Sequence, residues 1–260
     1  MLILLKIALV PTLLYLLAQA GQRWGYRRAG WLSSLPWVAG PILLVLTLEQ
    51  GPRFAAQAAL LSLAAIAASE AFNLAYAHVC RRTNWPAALS AGLGAWLIIA
   101  SPLPWLAVNL PAALAIAALA CVVNLCWLPI AANASPPLTT ARRSLLPRML
   151  AGGLLTLAAS LIAGRAGPHW GGIVAVFPLL GSLLAIEVQC SQGTNAVWHL
   201  MRGMTQGRPG FAAFCAVLTT SLGSLSPAVA FGAATIASVA VQQAAEQWRR
   251  RREITVALRS

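Results

Sequence analysis

Apolar stretches of about twenty residues follow one another along the chain, separated by short clusters of Arg, Gly and Pro. Roughly twenty apolar residues are what a helix needs to cross a hydrocarbon core about 30 Å thick. Run length and punctuation together predict helices over 2–20, 31–49, 54–78, 86–103, 106–130, 148–165, 172–190, 209–224 and 226–245. The expected fold is an all-α polytopic membrane protein of nine helices, or ten if the stretch from Thr194 to Gly207 also enters the bilayer.

The basic residues then orient the chain, because cytoplasmic loops retain Lys and Arg. With the N-terminus outside, the inside segments collect Arg23, Arg27, Arg28, Arg81, Arg82, Arg142, Arg143, Arg148, Arg202, Arg208, Arg249 to Arg252 and Arg259. Outside loops receive only Arg53 and Arg165, while Lys6 lies within the first helix. The bias predicts an N-out, C-in arrangement in a bacterial inner membrane. It gives a first membrane unit over 1–135, a cytoplasmic linker over 136–147, a second membrane unit over 148–245 and a basic tail over 246–260.

Composition agrees: 59% of the chain is hydrophobic and 9% is charged. The net charge of +13 reads as topology and not as a nucleic-acid footprint, since no soluble segment carries a basic face. The lipid bilayer itself is the expected partner, with anionic headgroups drawn to the basic tail "QWRRRREITVALRS". Association into a homodimer is left open. Cys80, Cys121, Cys126, Cys190 and Cys215 show no CxxC spacing and read as small core hydrophobes, with neither a disulfide framework nor a zinc site. The N-terminal run ends in Ala18-Gln19-Ala20 like a signal-peptidase site, but Lys6 sits inside the run and no basic segment precedes it, so the helix is expected to be retained.

The chain also speaks twice. Displaced by 142 residues, "GWLSSLPWVAGPILLVLTLEQG" from Gly30 aligns without a gap on "GIVAVFPLLGSLLAIEVQCSQG" from Gly172. Arg23 meets Arg165, Gly25 meets Gly167, Pro36 meets Pro178, Gln50-Gly51 meets Gln192-Gly193, and Ala71-Phe72 meets Ala213-Phe214. The second copy's first helix is the sixth predicted span, five places after the first, an odd step, so the repeats are expected to be inverted. Each copy interrupts its second helix, at Pro36, Gly40 and Pro41 in one and at Pro178 and Gly181 in the other. Interrupted helices at matching places in inverted halves are the pattern of secondary transporters, whose binding sites lie at such breaks.

The second copy, "RMLAGGLLTLAASLI" followed by "GGIVAVFPLLGSLL" and Phe211-Ala-Ala-Phe-Cys, resembles the small GlpM-like inner-membrane proteins. The resemblance covers 148–220 and, more faintly, 1–77, as though two such units were fused. It implies a link to envelope exopolysaccharide production and carries over no substrate, cofactor or catalytic residue.

Chemistry is sparse. The chain has five Glu and no Asp, so a carboxylate at membrane depth stands out; such groups cost on the order of 3 kcal/mol and face a cavity, a partner or a proton path. Glu70, with Asn73 one turn on, is the leading candidate for proton coupling or substrate contact. Glu187 follows, and Glu49 reads as a solvated helix end. His199 and Arg202 share a face that could receive an anion, whereas Gln57, Asn109 and Asn124 read as helix-to-helix hydrogen bonds. No GxSxG, HExxH or GxxxxGK motif occurs, so no catalytic residue, metal or cofactor is expected. The expected function is alternating-access transport of a small solute or a lipid-linked envelope intermediate. The rival is a non-transporting accessory protein of envelope biogenesis.

Overall fold

The computed structural model describes residues 26–36, 39–130 and 167–257. The helices expected over 2–20 and 148–165, the linker over 136–147, and Lys6, Arg23, Arg148 and Arg165 lie outside the described residues.

Within them the chain forms ten helices: α1 (Tyr26–Ser33), α2 (Ala39–Gln50), α3 (Pro52–Ala64), α4 (Ile66–Val79), α5 (Trp85–Ala100), α6 (Leu110–Trp127), α7 (Gly167–Ala175), α8 (Leu179–Gln192), α9 (Thr194–Ser221) and α10 (Pro227–Ala257). Five stretches are long and apolar enough to cross a membrane: Pro52–Val79, Trp85–Trp105, Leu110–Trp127, Gly172–Gln192 and Pro227–Arg249. The chain is an α-helical, multi-pass membrane protein. Large apolar side chains on the outer faces of α6 and α10, including Leu119, Val122, Val229 and Ile236, are exposed, as lipid-facing positions require.

Local chemistry sets the ends. Proline opens α3, α5 and α6 in the first turn, where its missing N–H costs nothing. Asn109 accepts from the Ala112 amide at 3.0 Å, so it caps α6 and does not bridge helices as the sequence suggested. Gln57 is exposed on α3, again not a bridge. Gly51 and Gly193 turn the chain between α2 and α3 and between α8 and α9 with φ of 92° and 80°, a region that other residues enter only with strain.

The predicted spans change in five places, one of them the 172–190 helix, which is broken after Ala175 into α7 and α8. The 31–49 helix is split into α1 and α2, because Ser33 and Ser34 donate back to the Gly30 and Trp31 carbonyls at 2.7 Å each and Pro36 cannot continue the ladder. The 54–78 helix has a step at Ala65. The loop and short helix expected over 194–224 are one 28-residue helix, α9, so Arg202 and Arg208 sit inside the bundle. The last helix does not stop at 245 but runs into the basic tail to Ala257.

Helix α9 is the centre of the bundle, packed against α1, α3, α4, α6, α8 and α10. It runs antiparallel to α3 and α4, as its contacts show: Thr219 donates to the Ala56 carbonyl (3.5 Å), Thr205 to Glu70 (2.6 Å), Trp198 to the Ala77 carbonyl (2.9 Å) and Thr194 to the Cys80 carbonyl (3.4 Å). Partners advance along one segment as they retreat along the other. The segments correspond in sequence, Pro52–Val79 and Thr194–Ser221 each spanning 28 residues.

Close backbone approach fixes how α1 and α7 dock. A Cβ at Gly30 would collide with the Leu200 carbonyl of α9, and a Cβ at Gly172 with the Ala58 carbonyl of α3. Gly172 and Leu200 lie as far beyond Gly30 and Ala58 as the two aligned stretches lie apart. Each short helix therefore rests on a long segment distant in sequence, a small-residue contact of the kind that brings membrane helices together. Ser62 reinforces the α3–α7 contact by donating to the Gly172 carbonyl at 2.8 Å.

Gly30→Val and Gly172→Val are each expected to cost about 1–3 kcal/mol or more through overpacking. Size-exclusion chromatography after heating in detergent would show loss of the monodisperse species at lower temperature for both. Gly94→Ala, where a Cβ meets nothing within 4 Å, is expected to leave the profile unchanged.

Candidate functional site

Near the midpoint of the antiparallel pair, the Glu70 side chain is 2% exposed and surrounded by donors. Asn73 Nδ2 of the same helix reaches Oε1 at 3.3 Å, and Arg208 Nε reaches it at 2.8 Å from α9. Thr205 Oγ1 donates to Oε2 at 2.6 Å, and Asn124 Nδ2 of α6 donates to the same oxygen. Four donors on two oxygens match the ionised form, which only accepts. Arg208 balances the charge, as a buried carboxylate in an apolar medium requires.

Two consequences of chain chemistry place Arg208 here. Pro209, next along α9, cannot donate to the Thr205 carbonyl, which loosens the ladder beside the ion pair. Gly207 and Gly210 let α9 pass close to Trp31 and Ser34 on one side and to Ser238 and Gln242 of α10 on the other, so side chains from three layers converge.

Beside the ion pair lies a cavity of ≈ 80 Å³. One wall is the α1–α2 break, with Ser33, Ser34, Leu35 and Ala39; the facing wall is the α7–α8 break, Ala175 to Gly181. Ser69, Asn73, Met204, Arg208 and Phe211 complete it. Lining positions pair off at the separation of the aligned stretches: Ser33 with Ala175, Ser34 with Val176, Leu35 with Phe177, Ala39 with Gly181 and Ser69 with Phe211. Phe177 is held by an edge-on contact with Trp96 of α5, ring centroids 5.1 Å apart. Ser69 ties the second break to α4 by donating to the Val176 carbonyl at 3.1 Å. The first turn of α8 opens on this wall, and first-turn N–H groups lack intrahelical acceptors.

Among the sequence candidates, Glu70 and Asn73 meet at the ion pair, and Pro178 and Gly181 line the cavity. Pro36, Gly40 and Pro41 belong to the first break beside it, with Gly40 at the first turn of α2. Glu187 is buried on α8, away from the cavity lining and close enough to Tyr26 to act on it electrostatically. Arg202 donates through Nη2 to the Leu125 and Leu128 carbonyls at 3.3 and 3.2 Å. It thus covers the C-terminal end of α6, where a cation is favoured, and does not line the cavity with His199. Arg208 and Thr205 are the site residues that sequence reading missed, while Asn124 makes the helix-to-helix hydrogen bonds expected of it. The usable signal was a cation and a hydroxyl within apolar surroundings, matched to one deep carboxylate.

Among the described residues, no three His, Cys, Asp or Glu side chains could share a metal ion. Cys80 and Cys215 are buried and all five thiols are free. At Cys80, just past α4, burial pushes the thiol up to about 11, against the opposing pull of the Trp198 indole and Arg81, so it stays protonated and unreactive. The chain matches no protein-family model, no curated protein and no solved structure.

Glu70→Ala leaves the mostly buried Arg208 without its counter-charge, and a loss of about 3–5 kcal/mol is expected. Glu70→Gln is expected to lose less, because it keeps an acceptor for Arg208 and a polar group for the other donors, although it too removes the counter-charge. Thr205 can turn its proton toward the Met201 carbonyl, 3.2 Å away, and a half-turn of the Asn124 amide presents Oδ1, which has no partner. Denaturant titration of the purified variants in detergent, followed by Trp fluorescence, measures both.

Proposed function

We propose that the chain is a secondary transporter that moves a small solute by alternating access, built from two inverted units in a bacterial inner membrane with its N-terminus outside. The observation that carries this reading is the cavity between two chain breaks that correspond in sequence and sit on antiparallel halves. Broken helices leave backbone groups free to meet a solute where continuous helices could not. The same arrangement lets one half rock against the other around a fixed site. A cavity of ≈ 80 Å³ favours a small solute over a lipid-linked intermediate. The Glu70–Arg208 pair supplies the polar contact. Fusion of two GlpM-like units would account for the duplicated order of short helix, break, helix, positive-φ glycine and long segment.

Single cysteines at Ala39 and Gly181, one on each break, test this in a cysteine-free background. A Cβ at Gly181 would sit 3.6 Å from Met204 Sδ, so the change is tolerated. A membrane-impermeant maleimide is expected to label each position both from outside intact cells and from outside inverted vesicles. Labelling from one face only, or from neither, is what a non-transporting accessory protein gives. Cysteines at Glu49 and Ser191, exposed at corresponding helix ends, are expected to label from opposite faces; labelling from the same face sinks the inverted arrangement.

A further inference from the structure

We propose that Arg208 is the anion-binding group of the cavity, and that Glu70 and a small monovalent inorganic oxyanion compete for it, so that the anion enters together with one proton. This rests on the transporter reading above and names its substrate class.

The geometry divides the guanidinium between two tasks. Its Nε is committed to Glu70 at 2.8 Å. Its terminal amino groups have no hydrogen-bond partner among the described residues, and Arg208 lines the cavity from a side chain 13% exposed. Two parallel N–H donors at the end of a guanidinium fit two oxygens of a planar or tetrahedral oxyanion. Asn73, also on the cavity wall, has a second amide proton beyond the one it gives to Glu70. At about 10–15 Å³ per water, the cavity holds several waters or one such anion.

Charge then decides the order of events. The ion pair is neutral, and an anion brought beside it would leave an uncompensated charge in an apolar interior. Moving one proton from water to a Glu70 carboxylate oxygen removes that excess. No other bond forms or breaks, and the loaded cavity keeps the net charge it had before. The donors around Glu70 can hold the protonated acid as well as the carboxylate. Thr205 Oγ1 has the Met201 carbonyl as an alternative acceptor at 3.2 Å, and Asn124 Oδ1 is buried without a partner, an acceptor awaiting a donor. The titratable or charged groups facing Glu70 are Arg208 from α9 and Cys121 from α6. Helix α5 carries none, and α3 carries only Arg53, exposed in its first turn.

Isothermal titration of the purified full chain with nitrate, from mildly acidic to mildly alkaline pH, tests the coupling. Repeating it in buffers of different ionisation enthalpy counts the protons. One proton is expected to be taken up per anion, with affinity falling as pH rises, by about tenfold per pH unit where the whole proton is drawn from solution. Glu70→Gln is expected to bind with no proton uptake and no pH dependence. The double substitution Glu70→Gln with Arg208→Gln keeps a neutral, hydrogen-bonded pair, so it folds, and it is expected not to bind. Binding without proton uptake, pH dependence that survives Glu70→Gln, binding by the double variant, or no binding by the folded wild type each overturns the proposal. Two-sided labelling at Ala39 and Gly181 without anion binding removes this proposal and leaves the transport reading standing. Anion binding with one-sided labelling does the reverse.

Discussion

One carboxylate in an apolar interior governs the arrangement of the bundle. Glu70 cannot stay charged in such a medium without donors, and it draws them from α4, α6 and α9 at once. Helices that share a hydrophobic solvent gain little from burying apolar area against each other. A polar knot that no lipid can satisfy therefore fixes their register more firmly than an equal area of Leu and Ala. This explains why α9, a 28-residue helix that is not among the five stretches apolar enough to cross a membrane, lies at the centre: its polar side chains are buried against partners instead of hydrocarbon.

Small residues do the complementary work. The α1–α9 and α3–α7 crossings bring backbone against backbone at Gly30 and Gly172, and Gly207 and Gly210 let α9 thread between α1 and α10. Such contacts are closely shaped but carry no charge, so they set distance, whereas the ion pair sets rotation and register. The cavity survives between them because both chain breaks replace helix with turn at the same level. Neither break can fill the space left by the other.

Much of this was legible in the amino-acid order, and what was not has a physical reason. Glu70 was conspicuous because carboxylates are so scarce, and the breaks announced themselves through Pro36 and Pro178. Arg208 was hidden twice over: arginines are plentiful, and Gly207-Arg208-Pro209-Gly210 reads as a turn. Tertiary packing overrode that local preference, since those glycines are contact points and the proline costs a bond that the crowded centre tolerates. Asn124 was legible as a hydrogen-bonding residue but not by its destination. Periodicity reports which face of a helix is buried and never against what. For the same reason nothing in the sequence revealed that α1 rests on the far half of the chain.

That long-range docking bears on how the protein is made. Arg27 of α1 bonds to Gln206 of α9 across 179 residues of sequence. At about 5–20 residues per second, the ribosome needs on the order of ten to a few tens of seconds to deliver the second partner. Throughout that interval α1 has neither its glycine-lined seat nor a mate for its side chains, and Glu70 has entered the bilayer without Arg208. Biogenesis of this chain thus includes a waiting period in which its most polar surfaces are unfinished, and the membrane must shelter them until translation nears its end.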